Sequence, residues 1–248
     1  MLRDITIGQY FPGNSVVHRM DPRFKIVMTL LFIVMLFLGE HLYSLGYGLV
    51  YCLIALLLSR IPVKMIWKSV RPLLPILLIT AALDMFFLDD GTVYFHWHFL
   101  KITSDGVNTA VLMVVRIIVL LVGSSLLTYT TSPIALTDAI ERLLAPLKRL
   151  HVPVHAFAMM MTIALRFIPT LLEETDRIMT AQKARGASFS EGSMLQRAKA
   201  LVPIFVPLFV SSFRRAEELA TAMECRCYHG GAGRTRMRQL KYQGVDYA

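Results

Sequence analysis

Charged residues are few in this chain. Asp, Glu, Lys and Arg make up 17% of its 248 residues, against about 25% in a soluble domain, and between Ile26 and Leu88 they are thinly spread among long apolar runs. With 55% apolar residues and a mean hydropathy of +0.56, this excludes an ordinary soluble domain and points to the membrane. Acidic residues are the scarcer kind, 17 against 26 Lys and Arg, for a formal charge of +9. Such an excess can signal nucleic acid, but aromatics interleaved with basic residues on a polar surface are missing. Basic loops meeting anionic membrane lipid account for it, with no nucleic-acid partner.

Cysteine is also rare: Cys52, Cys225 and Cys227. That excludes a disulfide framework, because Cys52 lies in an apolar run and a C-x-C pair rarely bridges comfortably. A reducing, cytoplasm-facing tail is expected. Residues 1–25 are polar and lack the apolar stretch of a cleavable signal peptide. No H-E-x-x-H, G-x-S-x-G or Walker loop occurs. The glycines at 230, 231 and 233 are followed by Arg234 and Thr235, where a phosphate loop needs Lys and Ser or Thr. The chain is therefore expected not to be an enzyme and to hold no cofactor or metal; if ATP and Mg are used, partner subunits bind them.

What is present is a plan of hydrophobic runs. Spans are expected over 26–38, 42–58, 72–88 and 107–130, within an N-terminal membrane domain of residues 1–132. The first two are joined so briefly that they must form a tight antiparallel pair. Residues 89–106 differ: a strand-like alternation around Y-F-H-W-H-F predicts a short hairpin or interfacial loop, with Tyr94 and Trp97 at the headgroup level. The segment before the first span and the 59–71 connector are basic; the other two loops are neutral or acidic. The positive-inside rule then puts both ends of this domain in the cytoplasm.

Residues 133–230 read as a cytoplasmic coupling domain of long amphipathic helices lying along or beneath the bilayer. One runs from Pro153 to about Ala184, with a kink expected near Pro169. Another runs from about Met194 to Cys225, interrupted by Pro203 and Pro207. A basic, glycine-rich tail occupies 231–248. The fold class is all-α: a polytopic membrane protein with about four transmembrane helices and long coupling helices.

Asp84 and Arg116 are the charges deepest in the spans, where ionisable groups are functional candidates by default. The reading favoured here is an internal ion pair that fixes packing; a substrate path through them is the rival. His96 and His98, at strand spacing, supply too few ligands for a metal and read as a structural or interfacial pair. Phe157, Met159, Met160, Met161, Ile163 and Phe167 suit packed core on one helix face and an adaptable partner surface on the other.

The most pointed feature is a short repeat. Thr180–Gly186 reads T-A-Q-K-A-R-G and Thr221–Cys227 reads T-A-M-E-C-R-C. Each places Thr-Ala five and four residues ahead of an arginine flanked by small residues, at the end of a helical segment. Cations and glycine are common at helix C-termini, but capping does not require the shared Thr-Ala. A guanidinium with small neighbours offers five donors to a partner's carboxylates and carbonyls. The pair reads as two plugs for two similar sockets.

These passages resemble the T component of energy-coupling factor transporters, the EcfT/CbiQ family. The resemblance is carried by His18-Arg19-Met20-Asp21-Pro22-Arg23-Phe24-Lys25, by Arg166-Phe167-Ile168-Pro169 running on through Glu173, Glu174 and Gln182 to Ala184-Arg185-Gly186, and by Glu224-Cys225-Arg226-Cys227-Tyr228. It covers nearly the whole chain. It implies a multi-pass protein of the bacterial cell membrane, the coupling subunit of an importer for vitamins or other micronutrients. Arg185 and Arg226 would contact two ABC-type ATPase subunits, EcfA and EcfA′-like, with Ala184, Gly186, Cys225 and Cys227 as their small neighbours. Phe157, Met159, Met160, Ile163 and Phe167 would face a membrane-embedded substrate-binding S component. One departure is that cysteines stand where the second motif has alanine and glycine, and Cys227 adopts a left-handed backbone less cheaply than glycine. The alternative from another class is a self-contained secondary transporter or membrane enzyme using Asp84 and Arg116.

Overall fold

The computed structural model describes residues 10–39, 42–87, 93–97, 100–187, 189 and 193–230. Contacts divide it into two units, one up to Leu136 and one from Thr137 onward.

The first unit holds α1 (Val16–Arg19), α2 (Pro22–Leu38), α3 (Leu42–Ser59), α4 (Val63–Val70), α5 (Leu74–Phe87), β1 (Val93–Trp97), β2 (Leu100–Thr103) and α6 (Ser104–Thr130). Asp21 starts α2 by accepting from the Arg23 amide at 2.8 Å, with Pro22 in the first turn, where its missing N–H costs nothing. Helix α4 passes through a 3-10 turn at Arg71–Leu73 into α5. Taken as one helix, Val63–Phe86 is long and apolar enough to cross a membrane, as are Gly106–Thr130 and Val154–Ala184, with Tyr43–Ser59 a shorter apolar helix.

The long helix α6 is the hub, packing against α2, α3, α4 and α5. Phe32, Leu36, Cys52, Ile66, Val70, Val119, Val122, Leu126 and Tyr129 form the core. Small residues allow the close approach, as between membrane helices generally. A Cβ on Gly123 would lie 2.3 Å from the Phe32 ring, and one on Gly48 would lie 2.5 Å from Leu36. The strands pair antiparallel with Trp97 opposite Leu100 and an irregularity between Val93 and Phe95. This is the expected hairpin, and Thr103 at its end caps α6 by accepting from the Gly106 amide at 3.1 Å.

The basic stretch from His18 to Lys25 closes the opposite end of α6. The Phe11 amide donates to the Tyr129 carbonyl at 3.0 Å. Lys25, buried, donates to the Thr130 carbonyl at 3.0 Å and to Thr131 Oγ1 at 3.2 Å. His18 sits between Ser15 Oγ, 2.6 Å from its Nδ1, and the Phe11 carbonyl, 3.0 Å from its Nε2. Lys25→Met keeps the side chain's length but leaves a buried carbonyl unpaired. It is expected to lower stability by about 1–3 kcal/mol, read as an earlier thermal midpoint in detergent.

The second unit carries the latter part of α7 (Pro133–Leu143), a 3-10 segment at Ala145–Leu150, α8 (Val154–Ala184) and α9 (Met194–Cys225). Glu141, buried, accepts from His155 Nδ1 at 3.0 Å. Helix α9 runs unbroken through Pro203 and Pro207, where the sequence suggested interruptions. Pro207 has no N–H for the Pro203 carbonyl four residues back. Gln182 of α8 supplies the missing donor, its Nε2 lying 3.3 Å from that oxygen.

Candidate functional site

The two arginine motifs end α8 and α9 in one and the same way. At the first, the Gly186 amide donates to the Lys183 carbonyl at 3.0 Å and the Ala187 amide to the Gln182 carbonyl at 3.0 Å. At the second, the Cys227 amide donates to the Glu224 carbonyl at 2.8 Å and the Tyr228 amide to the Met223 carbonyl at 3.0 Å. Each is a Schellman closure, with a left-handed residue just past the arginine: φ is +87° at Gly186 and +56° at Cys227. The threonines match as well. Thr180 Oγ1 donates to the Asp176 carbonyl at 2.7 Å, and Thr221 Oγ1 to the Glu217 carbonyl at 2.9 Å. The sequence repeat is thus a repeat of backbone shape.

Arg185 and Arg226 are both exposed, as are Ala184, Gly186, Cys225 and Cys227. Nothing lies within 4 Å of the place a Cβ would take on Gly186, so a partner's backbone can come close. Cys227 takes the left-handed conformation that its side chain disfavours by roughly 1–2 kcal/mol. Cys227→Gly is expected to raise stability by about 1 kcal/mol, and Gly186→Ala to lower it by a similar amount; thermal unfolding of the two variants in detergent checks both signs.

Helices α8 and α9 pair antiparallel. Gln182 meets Pro203 near the first tip. In the middle, Glu174 accepts from Ser211 at 2.5 Å and from Arg215 at 2.7 Å. Near the second tip, Met159 and Ile163 of α8 line a hollow of about 520 Å³ with Leu219, Met223 and Arg226 of α9. The two guanidiniums therefore stand at opposite ends of the pair. Between Ile163 and Arg185 the rise of 1.5 Å per residue gives a separation on the order of 30 Å. A single pocket cannot take both.

Of the residues read as a partner surface, Phe157 and Met160 are 58% and 54% exposed, whereas Met159, Ile163 and Phe167 are half-buried. A larger apolar face escaped the sequence reading. Phe205, Phe209 and Phe213, one turn apart on α9, are 52%, 61% and 71% exposed, and Leu201, Val202, Val206 and Val210 extend the stripe. Its signal was the four-residue spacing of Leu201, Phe205, Phe209 and Phe213, masked by two prolines that suggested a broken helix.

The expected ion pair does not form. Arg116 Nη2 donates instead to the Gly39 carbonyl at 2.7 Å, and no ion pair joins it to Asp84 among the described residues. Gly39 caps the C-terminal end of α2, where unpaired carbonyls and the negative end of the dipole attract a cation. Arg116 thus serves as a helix cap between spans, and a relay with Asp84 loses its geometric basis. His98 lies outside the described residues, and among these no cluster of three or more metal-ligating side chains occurs.

The family model CbiQ, described as a cobalt transport protein, matches residues 13–237. The chain is 54% identical over 246 residues to the energy-coupling factor transporter transmembrane protein EcfT of Ruminiclostridium cellulolyticum, covering 99% of this chain and 92% of that one. It is 53% identical to the protein of that name from Acidaminococcus fermentans, over 99% of this chain and 91% of the other. With that of Lactococcus lactis subsp. cremoris it shares 45% identity, over 99% and 92%.

Proposed function

Since this chain belongs to the CbiQ family, as a transmembrane component of an energy-coupling factor transporter, we propose that it passes force from two ATP-hydrolysing subunits to a substrate-binding membrane subunit. In this reading the chain imports a vitamin or other micronutrient without binding it. Arg185 and Arg226 each enter a groove on one ABC-type ATPase. ATP and Mg belong to those subunits. The N-terminus, the two tips and the 59–71 connector face the cytoplasm.

The observation that carries the proposal is the matched pair of tips: two exposed guanidiniums, on identical helix closures, at opposite ends of an antiparallel helix pair. Two like sockets a fixed distance apart fit that arrangement, and two related ATPases supply them. The substrate-binding subunit is assigned to the apolar stripe of α9 together with Phe157 and Met160 of α8. Those faces are too apolar to stay in water, and each lies on a helix that ends in one of the tips.

Co-purification tests the assembly. The full chain, carrying an affinity tag and expressed from its own cell membrane, is expected to bring down two ATPase chains and one small, highly apolar membrane protein. A chain that purifies alone yet supports uptake in proteoliposomes would favour the self-contained transporter and end the proposal.

A further inference from the structure

Helix α4 has three faces. Ile66 and Val70, one turn apart, are buried; on that side Ser69 is hydrogen-bonded to the Tyr129 hydroxyl of α6, which also donates to the Met65 carbonyl at 3.3 Å. Val63 and Trp67, again one turn apart, are 68% and 58% exposed. Lys64 and Lys68 occupy the third face, exposed, with Arg60 just before the helix and Arg71 just after it, both exposed too. At 3.6 residues per turn, Lys64, Lys68 and Arg71 fall within roughly 60° of one another. No carboxylate pairs with any of the four cations among the described residues.

The depth of this stripe follows from the covalent chain. Helix α4 runs directly into α5, whose Ile76, Leu78 and Ile79 are 59%, 71% and 60% exposed and must meet hydrocarbon. The basic stripe therefore lies at the headgroup layer at the mouth of that span. There an exposed Trp beside unpaired cations meets the conditions for a lipid contact: the indole prefers the interface, and the cations attract phosphodiesters.

We propose that α4 is a binding site for anionic phospholipid headgroups, held by Lys64, Lys68, Arg71 and Arg60 while Trp67 and Val63 insert beside them. The site gathers anionic lipid from a mixed bilayer whichever face of the membrane it occupies, and so does not depend on the coupling reading above. An acidic protein surface is the competing occupant. It would leave Val63 and Trp67 without a use, whereas a lipid satisfies both the charged and the apolar face.

The chain has two tryptophans, so Trp97→Phe leaves Trp67 as the only reporter. The full chain is placed in nanodiscs of phosphatidylcholine with a minor fraction of phosphatidylglycerol, one of the two lipids brominated in its acyl chains. Brominated phosphatidylglycerol is expected to quench Trp67 several-fold more than the same fraction of brominated phosphatidylcholine. Removing the cations in the series Lys64→Gln, Lys68→Gln and Arg71→Gln should lower the preference stepwise, by at most roughly fivefold per charge, until quenching by the two lipids is equal. Lys64→Arg with Lys68→Arg should keep it, and high salt should weaken it in the unsubstituted stripe, which decides the matter even if the triple variant does not insert. Equal quenching by the two lipids would overturn the proposal. So would shielding of Lys64 and Lys68 from amine acylation that appears only when other protein subunits bind.

Discussion

Replacing Arg185 and Arg226 together with alanine is expected to abolish uptake while the chain stays folded in the membrane. An arginine buried at the centre of a protein contact is worth about 2 kcal/mol or more, so each truncation should weaken its socket by at least roughly thirtyfold. Both side chains are exposed in the isolated chain, and among the described residues their loss leaves no hydrogen-bond or ion-pair partner unpaired. That separates this test from a stability effect: the thermal midpoint in detergent should not move, whereas recovery of ATPase subunits and uptake should both collapse. Arg→Lys at the same positions should rescue poorly, since a point charge cannot reproduce the planar fork. Undiminished uptake by the double alanine variant would refute the coupling role.

The second large effect is expected on α9. Phe205→Glu with Phe209→Glu puts two carboxylates into the stripe assigned to the substrate-binding subunit. Each lost aromatic removes about 1.5–3 kcal/mol of apolar burial, and any carboxylate trapped in the contact adds a desolvation cost. Affinity for that subunit should fall about a thousandfold or more, while the two ATPases remain bound. Pull-downs that lose the small apolar protein alone would give the stripe its role. Joint loss of all partners would mean that α9 itself had been disrupted.

Much of this architecture is legible in the sequence because it rests on local patterns. Alternation shows the hairpin before α6, and the Thr-Ala…Arg repeat shows where α8 and α9 end; hydropathy shows the apolar runs of α5 and α6, but not that Val154–Ala184, read as lying along the bilayer, is also long and apolar enough to cross one. What escapes are contacts whose partner is a backbone oxygen. Arg116 reads as the mate of Asp84, since both are charges in spans; its actual acceptor, the Gly39 carbonyl, leaves no mark on the sequence. Lys25 and the Thr130 carbonyl are hidden likewise. The prolines of α9 mislead for a related reason. Pro203 and Pro207 suggest a break, and only a donor from another helix, Gln182, makes continuity cheap. With α9 taken as interrupted, its phenylalanines do not line up, and the exposed stripe goes unseen.

The antiparallel setting of α8 and α9 has a mechanical corollary. Equal thrusts delivered at the two ends of such a pair, directed inward, do not bend either member first; they make one slide along the other. Among the contacts that resist sliding are three hydrogen bonds: Gln182 on a proline carbonyl, and Glu174 held by Ser211 and Arg215. Bonds of that kind break and re-form over a fraction of an ångström, unlike interlocked apolar side chains. A thrust along the pair therefore meets these three bonds at Gln182 and Glu174 before it meets any covalent strain.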